Sequence, residues 1–277
     1  MASGGNPHVG FVGIGNQGGP IVERIAAAGF PVTIWARTPE AAAPLVALGA
    51  TAAREVTGLG ACDIVGICVR DDAGVVQVFD GLFPALRPQM IVMILATIHP
   101  DTCAALAVRA AERQVTVIDT PVSGGAEVAR AGKLTVMAGG PADAIERCRP
   151  VIDSFSALLV HLGDVGSGQL AKLINNTLLT AHLALADEAL CSGEALGLNR
   201  VGLATLLSAS SGRSYGVDIV SRLPSPAAFS SGAKLLEKDV GLLEAVAQER
   251  RVNVDRMIGT AGSFLAAAIS KSEGEES

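Results

Sequence analysis

The stretch "GFVGIGNQGGPI" (residues 10–21) decides the fold, because its glycines at positions 13, 15 and 18 spell G-x-G-x-x-G. The three letters alone also suit a plain packing loop, in a chain that holds 32 glycines. Context separates the two readings. The apolar run "HVGFVG" (8–13) directly before the motif reads as a strand. Residues 17–28 directly after it read as a helix that stops at Gly29. A glycine-rich turn that joins a strand to a helix lets backbone approach a diphosphate closely and points helix N–H groups at it. The stretch therefore predicts a dinucleotide-binding turn, with the helix N-terminus meeting the pyrophosphate.

Outward from that turn the same grammar repeats. "VTIWA" (32–36) reads as the second strand, and "TPEAAAPLVALG" (38–49) as a helix with Thr38 as cap, Pro39 as first residue and Gly49 as stop. The second strand carries no Asp or Glu at its end, where NAD sites place an acid for the ribose hydroxyl. Arg37 and Thr38 stand there instead. Arg37 can pair with a 2′-phosphate and Thr38 can donate to it, which favours NADP(H) over NAD(H); the plainer reading is a solvated arginine and a helix cap. Glu40 falls in a helix's first turn, where it compensates the dipole. "DIVGICV" (63–69), "IVMIL" (91–95), "VTVID" (115–119), "LTVMAGG" (134–140) and "ALLVHLG" (157–163) are further continuous apolar runs. Buried strands alternating with helices predict a doubly wound, largely parallel sheet. Asp71 and Asp72 open a helix after a strand and read as caps.

Near residue 165 the strands cease. "GSGQLAKLINNTLLTAHLALADEALCSGEALG" (166–197) predicts one helix of roughly 28 residues, about 42 Å long. Helical patterns follow near 199–210, 232–249 and 253–270. The expected architecture is an α/β Rossmann-type domain (8–164), a long interdomain helix opening an all-α domain (165–271), and a disordered tail (272–277). The seam where the long helix begins is where a ligand cleft is expected.

Composition excludes several function classes. The net charge is −6 and there is no basic run, so nucleic acid is not an expected partner. No apolar run reaches the ~18 residues of a membrane span, and "MASGGNPH" lacks the pattern of a signal peptide. The five cysteines are scattered without C-x-x-C spacing, which predicts reduced thiols and a cytoplasmic protein. No pair among the four histidines has metal-ligand spacing, so no metal is expected; His99 reads as structural. Ser210, Ser211 and Ser214 have no paired base, which argues against a hydrolase.

Two stretches carry candidate chemistry. In "DTPVSGG" (119–125), Ser123 and two glycines could form a small anion site suited to a carboxylate, or an ordinary turn. In "GSGQLAKLINN" (166–176), Lys172 and Asn176 lie four apart on one face of the long helix. Lys172 could be a snorkelling surface residue, or, partly desolvated at the seam, a proton donor.

Taken together these motifs resemble the β-hydroxyacid dehydrogenase family, which shares the fold of 6-phosphogluconate dehydrogenase. The resemblance spans residues 8–270. Besides the turn it rests on "ART" (36–38), "CVRDD" (68–72), "TIHPDT" (97–102), "DTPVSGGAEVARAGKLTVMAGG" (119–140), G-x-G-x-x-x-K-x-x-x-N (166–176) and "KDVGL" (238–242). It implies that Lys172 is the general acid/base and that Asn176 contacts substrate. It also implies that Ser123, Gly124 and Gly125 bind the substrate carboxylate. Gly13, Ile14, Gly15, Asn16 and Gln17 would contact the pyrophosphate, Thr97 would lie near the nicotinamide, Val69 and Arg70 would flank the adenosine, and Lys238 would close over the cofactor. The implied activity is NADP(H)-dependent interconversion of a small hydroxy acid and its semialdehyde or oxo acid, in a homodimer or homotetramer. An imine reductase of the same fold and a non-catalytic cofactor-binding module are the alternatives, and Lys172 argues against both. The sequence departs from the family at Gln17, where methionine is usual, and at Ala96, where a serine is usual.

Overall fold

The computed structural model describes residues 5–269. Its main sheet has six parallel strands in the order β3-β2-β1-β4-β5-β6. These are β1 (Val9–Val12), β2 (Val32–Trp35), β3 (Thr51–Ala52), β4 (Ile64–Ile67), β5 (Ile91–Ile94) and β6 (Thr116–Asp119). The strand order reverses beside β1, as in dinucleotide-binding sheets. Both faces are covered, which explains the unbroken apolar runs. Val9, Phe11, Ile64, Ile91 and Met93 pack into one core cluster. Val12, Val65, Ile67, Val92 and Ile94 face the other.

Each strand that an apolar run predicted is one to three residues shorter than that run. The sequence pattern missed β3, whose two residues are both exposed. One expectation needs correcting. Strands β7 (Val122–Ser123), β8 (Leu134–Ala138) and β9 (Ser156–His161) do not extend the parallel sheet but form a second, mixed one. β7 runs antiparallel to β8, and β8 parallel to β9. The break falls at Pro121, which has no N–H to continue the ladder. Its carbonyl accepts from the Met137 N–H (3.0 Å), and Asp119 bridges Gly139.

The helices of this first half are α1 (Gly18–Ala27), α2 (Ala43–Ala47), α3 (Asp72–Leu82), α4 (Pro100–Ala111), α5 (Gly125–Arg130) and α6 (Ala142–Asp153). The helix expected over 38–49 is a 3-10 turn, Pro39–Ala42, followed by α2. Helix α7 (Ser167–Ala195) has 29 residues, close to the expected length. After it come α8 (Arg200–Ala209), α9 (Tyr215–Val220), α10 (Ser230–Arg250) and α11 (Asp255–Ile269). Six residues are too few for a periodicity signal, so α9 was not legible; the Ser214 hydroxyl caps it by accepting from the Val217 N–H. Two compact units divide between Lys172 and Leu173. The second is wholly helical among its described residues, around Leu183, Leu190, Val217, Leu236 and Phe264. The tail expected at 272–277 lies outside the described residues. Among them, no helix is long and apolar enough to cross a membrane.

All five cysteines are free. Burial pushes the Cys62 thiol up to about 11 and those of Cys68 and Cys148 to about 12, and raises Cys103 well above its usual range. Cys191 alone is exposed. In the native protein at pH 8, a thiol reagent should titrate one group fast, and Cys191→Ser should abolish that phase. The other thiols should react only on unfolding.

Candidate active site

The glycine turn is built from unlike parts. Gly13 follows β1 with φ +89°, and a side chain there would collide with the Cys68 carbonyl. A side chain at Gly18 would strike the Gly13 carbonyl and reach within 3.0 Å of the Phe11 ring. Those two glycines serve close packing of turn, strand and helix. Gly15 is different: its missing side chain would meet no atom within 4 Å. The open side of the turn is therefore where a ligand's diphosphate can approach the backbone. The first turn of α1 carries no acidic residue and no side-chain cap, so nothing local offsets its positive end. Gln17 also keeps a buried amide nitrogen without a partner among the described residues. These features fit a dinucleotide.

The parallel sheet brings most of the expected cofactor residues to one edge, the carboxyl ends of its strands. Arg37 and Thr38 follow β2 and are both exposed. Arg37 has no ion pair or side-chain hydrogen bond among the described residues, and Thr38 makes no cap bond. Val69, half-buried, and Arg70, exposed, follow β4. The Asp71 carboxylate caps α3, accepting from the Gly74 N–H at 2.8 Å. Asp72, expected as a cap, is instead the first residue of α3: its carboxylate accepts from the His99 N–H (3.0 Å) and the Thr102 hydroxyl (2.6 Å), joining the starts of α3 and α4. His99 in turn accepts from the Asp101 N–H through Nδ1. Thr97 follows β5 and is half-buried.

The sixth strand ends on Asp119, which the sequence reading quoted but did not single out. Its side chain is fully buried. Oδ1 accepts from the Gly166 N–H (2.7 Å) and Oδ2 from the Gln169 N–H (2.8 Å). Burial raises the Asp119 carboxyl above the usual carboxylate range, and these N–H groups pull it back. Since α7 has no acid in its own first turn, Asp119 supplies from the sheet the negative charge its N-terminus favours. The Gln169 side chain, also fully buried, accepts from the Ile98 N–H (3.0 Å) and donates to the Ala96 carbonyl (2.8 Å). Lys172 is half-buried one turn further along α7, so the sheet's carboxyl edge and the lysine belong to one compact unit.

The expected carboxylate segment spans the end of β7 and the start of α5. Ser123 is half-buried, paired with Thr135; Gly124 and Gly125 are exposed. In the helical unit, Asn176 and Lys238 are brought together by a residue the sequence reading passed over. Asp239, buried on α10, accepts from the Asn176 amide (2.6 Å) and pairs with the Lys238 ammonium (3.2 Å). Asn175 donates to the Asn176 Oδ1 (3.0 Å), which orients that amide from both ends. Asp119, Gln169 and Asp239 each stood inside a quoted motif. A buried acid at a strand end flanked by distant glycines was the one available signal.

Comparison with known proteins agrees with this architecture. Residues 8–163 match the domain family described as the NAD-binding domain of 6-phosphogluconate dehydrogenase. Residues 166–277 match that described as NAD-binding of NADP-dependent 3-hydroxyisobutyrate dehydrogenase. An NAD-dependent L-serine dehydrogenase of Pseudomonas aeruginosa is 33% identical over 253 residues, covering 87% of this chain and 85% of that one. A 3-hydroxyisobutyrate dehydrogenase of the same organism is 33% identical over 255 residues, with 87% and 85% covered. The crystal structure of a 3-hydroxyisobutyrate dehydrogenase from Salmonella typhimurium superposes with TM-score 0.81 at 28% identity, covering 98% of this chain and 95% of that one. Matched in both halves, and a third identical to such relatives over most of its length, this chain belongs to the β-hydroxyacid dehydrogenase family of NAD(P)-dependent oxidoreductases.

Proposed function

We propose that this enzyme interconverts a small 3-hydroxy carboxylate and its semialdehyde or oxo acid, with NADP(H) preferred and Lys172 handling the proton. The observation that carries the reading is the placement of Lys172, half-buried one turn beyond a helix start anchored to the carboxyl end of β6. The substrate class draws on the relatives: L-serine and 3-hydroxyisobutyrate, in the names of two of them, both hold a hydroxyl on the carbon β to a carboxylate. Ser123, Gly124 and Gly125 would receive that carboxylate, and Asn176, held by Asp239, would contact the substrate.

A bound dinucleotide would supply or accept the hydride at the carbon that bears the oxygen. In reduction the Lys172 ammonium gives its proton to the carbonyl oxygen. In oxidation the neutral amine takes the hydroxyl proton. Much of the rate comes from holding the reacting carbons at contact distance. Replacing Lys172 by Ala should leave dinucleotide affinity near the parent value and lower turnover by about 10²-fold or more, the scale of a lost general acid. A turnover equal to the parent's, measured against glyoxylate, succinic semialdehyde, methylmalonate semialdehyde and cyclic imines, would remove this role.

NADP(H) preference rests on Arg37 and Thr38, exposed and uncommitted where an NAD site would hold an acid. Trp35, the one tryptophan, ends β2 two residues before Arg37, so its emission should change when a dinucleotide binds. Titration of Arg37→Ala should show about a tenfold or larger loss of NADPH affinity, the scale of a charge-assisted pair, with NADH little changed. Equal losses for both would mean the arginine does not read the 2′-phosphate.

Five free thiols support a reducing, cytoplasmic location. Ile174, Leu178 and Leu185 form an exposed apolar stripe along α7, which supports assembly into a homodimer or homotetramer. Light scattering should give a multiple of the 28.1 kDa chain mass, and Leu178→Glu should shift it toward the monomer.

A further inference from the structure

We infer that Gln169 is a positioning residue that sets the spacing between Lys172 and the loop carrying Thr97. The inference rests on the proposed proton-transfer role of Lys172. Gln169 is fully buried, and both ends of its side-chain amide are used. Oε1 accepts from the Ile98 N–H, and Nε2 donates to the Ala96 carbonyl. Those two backbone groups flank Thr97 and face the same way, as neighbouring groups along an extended chain do. The amide therefore grips the loop at two points, one donor and one acceptor, and a slide or peptide flip of the loop breaks at least one bond.

The backbone of the same residue is fixed as well, because its N–H donates to Asp119 Oδ2 at 2.8 Å. Gln169 is thus held to β6 through its main chain and to the segment after β5 through its side chain. Lys172 lies three residues on, about 4.5 Å along the axis and on the same face of α7. The lysine stem therefore leaves the helix at a distance from Thr97 set by one side-chain length. A leucine of similar size would leave the Ile98 N–H and the Ala96 carbonyl unpaired in a buried place. A glutamate matches the amide's shape, but reproduces its donor only when protonated.

The test uses the full chain with Gln169→Leu and Gln169→Glu, each also in the Lys172→Ala background. For Gln169→Leu we expect NADPH affinity by Trp35 fluorescence within about threefold of the parent. Turnover should fall about 10- to 100-fold, the scale of a misplaced reacting group. The primary isotope effect with 4-deuterated NADPH should rise, and the Ile98 amide should exchange faster. In the Lys172→Ala background the same change should cost little more, because its effect passes through the lysine. Gln169→Glu should show an ionisation in its kcat profile that the parent lacks, with activity falling as the pH rises and the buried carboxyl loses its proton. A folded Gln169→Leu with parental turnover and isotope effect overturns the inference, as do additive losses with Lys172→Ala. If Gln169→Leu fails to fold, Gln169→Glu decides, and a parental pH profile overturns it. Parental turnover in Lys172→Ala alone would instead sink the general-acid reading, a separate result.

Discussion

One buried carboxylate organises the first unit of this protein. Asp119 ends β6 inside the molecule, where an unpaired charge would be costly. It is offset by N–H groups from the start of α7, a helix with no acid in its own first turn. The exchange serves both partners. The carboxylate gains donors, and the helix gains a cap and a charge at its positive end. The backbone must come close for this, and glycine allows it at two distant positions. A side chain at Gly139 would crowd Asp119 itself, and one at Gly168 would collide with the Met137 carbonyl. Residues from three parts of the chain thus share one small volume.

That constraint gives the parallel sheet its functional meaning. Parallel strands end on one edge, so the turns after β1, β2, β4 and β5 gather there. The glycine turn offers an open backbone at Gly15, and Arg37 is exposed beyond β2, with no ion pair among the described residues. Because α7 starts from the same edge through Asp119, its first turns stay in register with these loops. Gln169 continues the tie from the helix to the backbone on either side of Thr97. A lysine carried on a mobile loop would have no such reference.

The helical unit uses a carboxylate in a related way. Asp239 is buried between an amide and an ammonium, and each is held in one orientation by it. Asn176 must turn its NH2 toward the acid, which leaves its oxygen on the side of Asn175. Buried polar groups of this kind cost stability unless every member is paired, and paired they specify a single arrangement. Their chemistry is therefore set by partners and not by residue type.

Local pattern made much of this molecule legible. The apolar runs around residues 9, 32, 64, 91 and 116 marked their strands, glycines 13, 15 and 18 marked the turn, and the Leu/Ala periodicity after residue 166 marked α7 to within a residue or two. Each of those signals lies within one window of the chain. The sequence by itself thus determined the fold class and the glycine turn between strand and helix, and offered the lysine as a candidate. Tertiary structure alone decided that β7–β9 part from the main sheet at Pro121, that Asp72 joins two helix starts, that Asp119 and Gln169 tie the start of α7 to the sheet, and that Asp239 holds Asn176 within the helical unit. The physical reason is range. A buried polar side chain takes its role from partners 47, 73 or 63 residues away, and no pattern local to it in the chain records where those partners fold.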